Sequence, residues 1–427
     1  MSRRVVITGI GIVSPLGLTA DEHWQRRMAG TVGIRPIKAF DASGFACGNN
    51  GGEVPEYALK DYVPKTYRKF AKVMARDIEL AVIAADGAFK SSGLKSKADG
   101  GGGGGGEPSF EPSRFGCNIG AGLISCELDE LTYALDQARD RNDPSKIDWQ
   151  AWGRDGIRQL TPLWLLKYLP NMLACHVTIL HGLTGPSNNI TCAEASGHLS
   201  VGEATRAIRR GKCDLAIAGG IESMMNPMAL MRQKLLGRLS PTGTPRPFAD
   251  DADGTVMGEG GTLLILEEVE HAQARGATIY AEVAGFASTQ DTHDAAEPDP
   301  SGAAYASAIR SALRQANADA DNIDLIVPHG LGIKGHDASE RAGLSSVFGD
   351  RLGAVSLSPG TAQTSTLAAG SAVNVADAAL AIHHGQTPPA VHVPQDFAGP
   401  RDAAPTLAVA PTFALGGQNA AVVLRKV

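Results

Sequence analysis

The stretch SGHLSVGEATRAIRRG (196–211) sets small residues ahead of an amphipathic helix and closes it with a glycine. The stretch AAGSAVNVADAALAIHHG (368–385) repeats that layout. Each is followed by strands near a Gly-Gly pair, Gly219-Gly220 and Gly416-Gly417. An internal duplication of an α/β unit accounts for the match. The alternative, that two alanine-rich helices resemble each other by composition, stands beside it.

Working outward, short apolar runs rich in Val, Ile and Leu predict buried strands at 4–10, 115–124, 214–218, 262–266 and 325–327, with strand-rich chain from 278. Helical spacing predicts helices over 69–91, 195–210 and 302–315, and in part of 163–180. Thr19 precedes Glu22 by three residues, a capping box that opens a helix through about Met28. Helices alternating with apolar strands imply sheets covered by helices. The glycine run 100–106 is expected to be a flexible surface loop, because such a run cannot pack a core.

Composition bounds the function. The chain has 427 residues, long for one ordinary core. A net charge of −6 argues against a general nucleic-acid binder. The six cysteines form no CxxC pair and suit neither a disulfide framework nor a zinc site, so no metal is expected. The N-terminal apolar run is short and broken by glycine, so no signal peptide is expected. No apolar run reaches the roughly 18 residues of a membrane span. A reduced, cytoplasmic protein is the expectation. Gly9-Ile10-Gly11 lacks the third glycine of a dinucleotide fingerprint.

Four segments carry a resemblance. RRVVITGIGIVSPLG (3–17), PNMLACHVTILHGLTGPS (170–187), RPFADDADGTVMGEGGTLLILEEVEHAQARGATIYAEVAGF (246–286) and PTFALGGQNAAVVLRKV (411–427) together resemble β-ketoacyl-ACP synthases of the type II elongating kind. The resemblance covers almost the whole chain. It implies a duplicated thiolase-like α/β fold of five layers, αβαβα, with halves placed here at 1–268 and 269–427. It implies a dimer, homodimeric or with a catalytic ketosynthase, acting on acyl carrier protein or acyl-CoA thioesters without a cofactor.

The family's chemistry is Claisen condensation. A cysteine thiolate at a helix N-terminus takes the acyl chain, two histidines assist decarboxylation and backbone amides hold the oxyanion. Carried over residue by residue, the cysteine position is Glu194, within TCAEASG (191–197). Cys192 reaches it only through a two-residue shift. The first histidine is His329, followed by the acidic Glu340. Counting back from Ala369-Gly370, the lysine position is Pro359 and the second histidine is Thr364. The gate loop is Ala414-Leu415-Gly416-Gly417, with Leu415 for the aromatic gate and Leu415 and Gly416 near the oxyanion.

Three replacements in one site argue against ordinary condensation, because a carboxylate is a weak nucleophile that would form a labile anhydride. Two readings remain beside condensation through Cys192. Glu194 plugs the oxyanion site of a non-condensing subunit resembling a chain-length factor. Or Glu194 and His329 form an acid/base pair for hydrolysis, dehydration or decarboxylation of an acyl thioester. His198, four residues after Glu194, either faces it or is a core histidine. Leu123 matches a position near the acyl channel, or is an ordinary core leucine. Lys65, Arg68 and Lys69, and a second basic group of Arg232, Lys234 and Arg238, are either docking patches for an acidic carrier protein or solvated surface. His336 is read as a surface histidine.

Overall fold

The computed structural model describes residues 3–45, 47, 49–99, 106–400 and 404–427. Residues 100–105 of the glycine run, expected to be a flexible loop, lie outside the described residues.

Ten strands form the main sheet. In the first half these are β1 (Val5–Val13), β2 (Phe115–Ala121), β3 (Ser187–Ile190), β4 (Leu215–Ser223) and β5 (Glu259–Glu268). The second half supplies β6 (Ala281–Gln290), β7 (Leu325–Ile326), β8 (Ser356–Leu357), β9 (Leu407–Phe413) and β10 (Gln418–Arg425). The strand order is β8-β7-β9-β10-β6-β1-β5-β4-β2-β3. Split between β6 and β1, it reads 1-5-4-2-3 outward in both directions. Pairing directions repeat as well. The inner pairs are antiparallel, and the outer pairs, β4-β2-β3 and β9-β7-β8, are parallel. The halves meet edge to edge through Val6–Glu282 and Ile7–Ala281. This is the expected duplication, written in topology.

Eight helices matter for the site: α1 (Ala20–Met28), α2 (Arg76–Ser92), α3 (Met172–His181), α4 (Ser196–Arg209), α5 (Pro227–Leu235), α6 (Ala303–Ala316), α7 (Lys334–Phe348) and α8 (Val373–His384). Thr19 caps α1 by accepting from the Glu22 amide at 3.2 Å, and Glu22 reaches back to the Leu18 amide at 2.9 Å. The helix expected from residue 69 begins at Arg76. A 3-10 segment, Lys65–Val73, precedes it, and extended backbone at Met74 separates the two.

Side-chain alternation along the strands makes the layers. Leu263 and Ile265 of β5 face a core shared with α2 and α3, while Leu264 and Leu266 face a core shared with α4 and α8. In β10, Ala420, Val422 and Leu424 face that same central core, and Ala421 and Val423 face α6 and α7. The order is therefore helix, sheet, helix, sheet, helix, the five layers of a thiolase-like fold. Close approach fixes the layers. A Cβ on Gly11 of β1 would lie 1.8 Å from the Ala84 carbonyl of α2, and one on Gly220 of β4 would lie 2.0 Å from the Ala369 carbonyl in the 3-10 segment (Ala368–Ala372) that leads into α8. Among the described residues, no helix is long and apolar enough to cross a membrane.

Candidate active site

The site lies where α4 begins, in the central layer. After β3 the chain enters a 3-10 turn, Ala193–Ala195, through Ala193 at φ 44°. Left-handed backbone costs a residue with a Cβ roughly 1–2 kcal/mol. Hydrogen bonds hold it there: the Ser196 hydroxyl donates to the Ala193 carbonyl at 2.6 Å and accepts from the Cys192 amide at 2.8 Å. The turn sends Glu194 inward, where it is only 2% exposed.

Its two carboxylate oxygens have separate partners. Oε1 accepts from Arg238 Nη2 at 2.6 Å, and Oε2 accepts from the Leu415 amide at 3.2 Å. Burial alone would push this carboxyl up. Burial is the largest single influence, but the Arg238 guanidinium, with smaller help from His329 and a backbone amide, holds Glu194 at about 2, ionised at neutral pH. Arg238 is itself buried, with Nη1 on Gln233 Oε1 at 3.1 Å. The residue grouped by sequence with the surface cations Arg232 and Lys234 is thus the counter-ion of the site. Lys234 is exposed and Arg232 is half-buried, donating to the Leu123 carbonyl at 3.1 Å. Gly237, at φ 68°, ends α5 and turns Arg238 inward.

His329 closes the other side. Its Nδ1 lies 3.1 Å from the Thr412 hydroxyl, while Nε2 has no hydrogen-bond partner among the described residues. Burial lowers it to about 4, so it is a neutral imidazole at pH 7. Glu340 shapes the turn, accepting from the His329 and Gly330 amides at 2.8 Å each and from the Tyr305 hydroxyl. Thr364 is buried with its hydroxyl 3.2 Å from the Gly360 and Ser365 carbonyls. It shares with His329 a hydroxyl-lined cavity at the scale of one water molecule.

His198 is fully buried, pushed down to about 3 by burial, with no hydrogen-bond partner at either ring nitrogen among the described residues. It makes no hydrogen bond to Glu194. His336, expected at the surface, is buried on α7, because the face of that helix carrying it packs toward Phe413. The Phe413 ring touches both His329 and His336, at centroid distances of 5.2 and 5.8 Å, and sequence reasoning missed it.

The N-terminal domain model of β-ketoacyl synthases matches residues 2–272, and the C-terminal domain model matches 280–394. The mitochondrial 3-oxoacyl-[acyl-carrier-protein] synthase of Arabidopsis thaliana is 31% identical, covering 92% of this chain and 84% of the relative. The chain belongs to the β-ketoacyl synthase family. Among solved structures, the ishigamide ketosynthase/chain length factor superposes with a TM-score of 0.83 at 28% identity, covering both chains completely. A type II polyketide synthase ketosynthase, solved in complex with its acyl-carrier protein, superposes at 0.81 with 25% identity, again over both chains.

In this chain the remaining expected positions fall as follows. The Leu415 amide faces Glu194. The Gly416 amide turns away and donates to the Ala295 carbonyl at 2.9 Å, so it does not face the site. Pro359 is buried where the family has lysine. Cys192 is half-buried and burial pushes its thiol up, the opposite of an activated nucleophile. Leu123 is 63% exposed and is no core leucine in this chain. Lys65, Arg68 and Lys69 are exposed on the Lys65–Val73 segment, beside exposed Phe70 and Val73. No cluster able to hold a metal ion occurs among the described residues.

Proposed function

We propose that this member of the β-ketoacyl synthase family is a non-condensing subunit resembling a chain-length factor. It works in the cytoplasm in fatty-acid or polyketide assembly, paired with a cysteine-bearing ketosynthase. One observation carries the reading. The Glu194 carboxylate stands at the nucleophile position, ion-paired to Arg238, and takes the Leu415 amide that would otherwise receive an oxyanion. A thioester carbonyl and Glu194 cannot both use that donor. On this reading residues 1–268 supply the carboxylate and its guanidinium, and 269–427 supply the imidazole and the amide. The Lys65, Arg68, Lys69 surface, with Phe70 and Val73 beside it, suits an acidic carrier protein.

A second reading is favoured by the unpartnered Nε2 of neutral His329 beside a hydroxyl-lined space of water size. Those groups suit general-base hydrolysis of an acyl thioester.

The test is intact mass and thioester consumption after incubation with acyl-ACP and acyl-CoA donors. No adduct and no consumption is the expected outcome. Consumption without an adduct selects the Glu194/His329 acid/base reading, and an acyl group mapped to Cys192 overturns both.

A further inference from the structure

Resting on the plug reading of Glu194, we infer that Arg238 is a positioning residue that makes Glu194 a latch on the loop carrying Leu415. Closure of the acyl site is then built into this chain rather than imposed by a partner.

Arg238 is anchored before it meets Glu194. Its amide donates to the Gln233 carbonyl at 3.1 Å, its carbonyl accepts from the Thr255 amide at 2.8 Å, and Nη1 meets Gln233 Oε1. The guanidinium is therefore a fixed point of the first half. Glu194 spans from it to a backbone amide of the second half.

The loop at 414–417 is held differently on its two sides. On the outer side Gly416 N donates to Ala295 O at 2.9 Å, Gln290 Nε2 donates to Gly416 O at 2.6 Å and Asp291 N donates to Gly417 O at 2.6 Å. On the inner side the Leu415 amide donates to Glu194 Oε2. Gly416 and Gly417 have φ of 85° and 83°, and a Cβ on Gly416 would meet nothing within 4 Å. The loop has open space at Gly416, though not at Gly417, where a Cβ would lie 2.2 Å from the Asp291 carbonyl, and among the described residues its inner tether is one charge-assisted hydrogen bond. Such bonds are roughly twice as strong as neutral ones. Without the guanidinium, a carboxylate this deeply buried would take up a proton and hold the amide weakly. The latch therefore needs Arg238 although Arg238 does not touch the loop amide.

Amide hydrogen exchange over 414–417, measured on the full chain, tests this. Glu194→Ala and Arg238→Gln are each expected to speed exchange there by about tenfold or more, while the following strand, Gln418–Arg425, stays protected. Glu194→Gln keeps the side-chain shape and guards against a variant that fails to fold; it too is expected to speed exchange. Unchanged exchange in Glu194→Ala or Glu194→Gln, with melting showing a folded chain, overturns the latch. Fast exchange in the Glu194 variants with wild-type exchange in a folded Arg238→Gln removes Arg238 from it. Acyl-thioester consumption by the wild type is read separately. It would sink the plug reading while leaving the exchange result to stand or fall alone.

Discussion

Two arginine–carboxylate pairs are buried among the described residues, and they are wired differently. Arg27 of α1 is fully buried and saturated: Nε meets Asp377 at 3.1 Å, Nη2 meets the Ser358 carbonyl and hydroxyl at 2.8 and 2.9 Å, and Nη1 meets the Pro389 carbonyl at 2.9 Å as well as Gln363. Its carboxylate, Asp377 of α8, also binds His23 at 2.9 Å, and His23 binds Ser14 at 2.8 Å. Among the described residues Arg238 leaves Nε without a partner, and nearby His198 and His329 leave three ring nitrogens unpartnered. Unsatisfied buried donors are costly, so evolution tolerates them chiefly where a site is, or was, in use. The saturated pair ties α1 to α8 as structure. The unsaturated pair lies at the start of α4, beside His329 and the Leu415 amide.

The largest expected effect breaks the saturated pair. Arg27→Met strands Asp377 and leaves several acceptors unmet, so it should cost more than the roughly 3–5 kcal/mol typical of breaking one buried ion pair. Arg238→Met should fall within that range. Glu194→Leu combined with Arg238→Met should recover most of the loss, because replacing both members of a buried pair is often neutral or stabilising. No such recovery is expected for Arg27→Met with Asp377→Leu, where His23 Nε2 and the Ser358 and Pro389 carbonyls lose their partners. Denaturant midpoints of these variants decide it. Equal costs for Arg27→Met and Arg238→Met would erase the distinction between the pairs.

A second experiment asks what the unsaturated pair can still do. Glu194→Cys places a thiol at the start of α4 beside Arg238 and the Leu415 amide. Both favour the thiolate, so its pKa should fall below the usual value of about 8.5. The rate of iodoacetamide labelling against pH should show a midpoint below that of Cys192, whose thiol burial pushes up. Condensation should remain absent, because Thr364 still stands at the second histidine position. A Glu194→Cys thiol with an ordinary midpoint would mean that Arg238 does not govern the position.

Much of this was legible in sequence. Apolar runs located the strands, and the repeated layout at 196–211 and 368–385 pointed to a duplication that the topology repeats strand for strand. Glu194, His329 and Thr364 were singled out by counting along a known frame, and all three are buried. Arg238 did not, because a basic residue near Arg232 and Lys234 looks like surface until the left-handed Gly237 is seen to turn it inward. His336 failed similarly. Its burial depends on Phe413, 77 residues further along, and helical periodicity within 334–348 holds no record of a distant ring. Residues were misread where their surroundings come from remote chain.

The smallest expected effect concerns pH. Burial holds His198 at about 3 and His329 at about 4, while the unfolded chain keeps both near 6.5. Between those values the unfolded state binds protons that the folded state refuses, so stability is lost as pH falls from about 6.5 toward 4. Glu194, depressed to about 2, adds a loss of the same sign only below its unfolded value of about 4.3. The acid loss above that point therefore belongs to the imidazoles around the unsaturated pair, together with His176, His181, His336 and His384, which burial also lowers. Four buried carboxyls raised by burial, Asp77, Glu222, Asp337 and Glu340, run the other way and favour the folded state as pH falls through 8 toward 5. A variant isolates one contribution from these opposing ones. His198→Phe removes a group that has no hydrogen bond to lose, so relative to wild type its stability should gain as pH falls from 6.5 to 4 and stay level above 7. Parallel pH profiles for the two proteins would mean that His198 finds a partner in the folded chain, and would bring the Glu194 surroundings closer to the saturated wiring of Arg27.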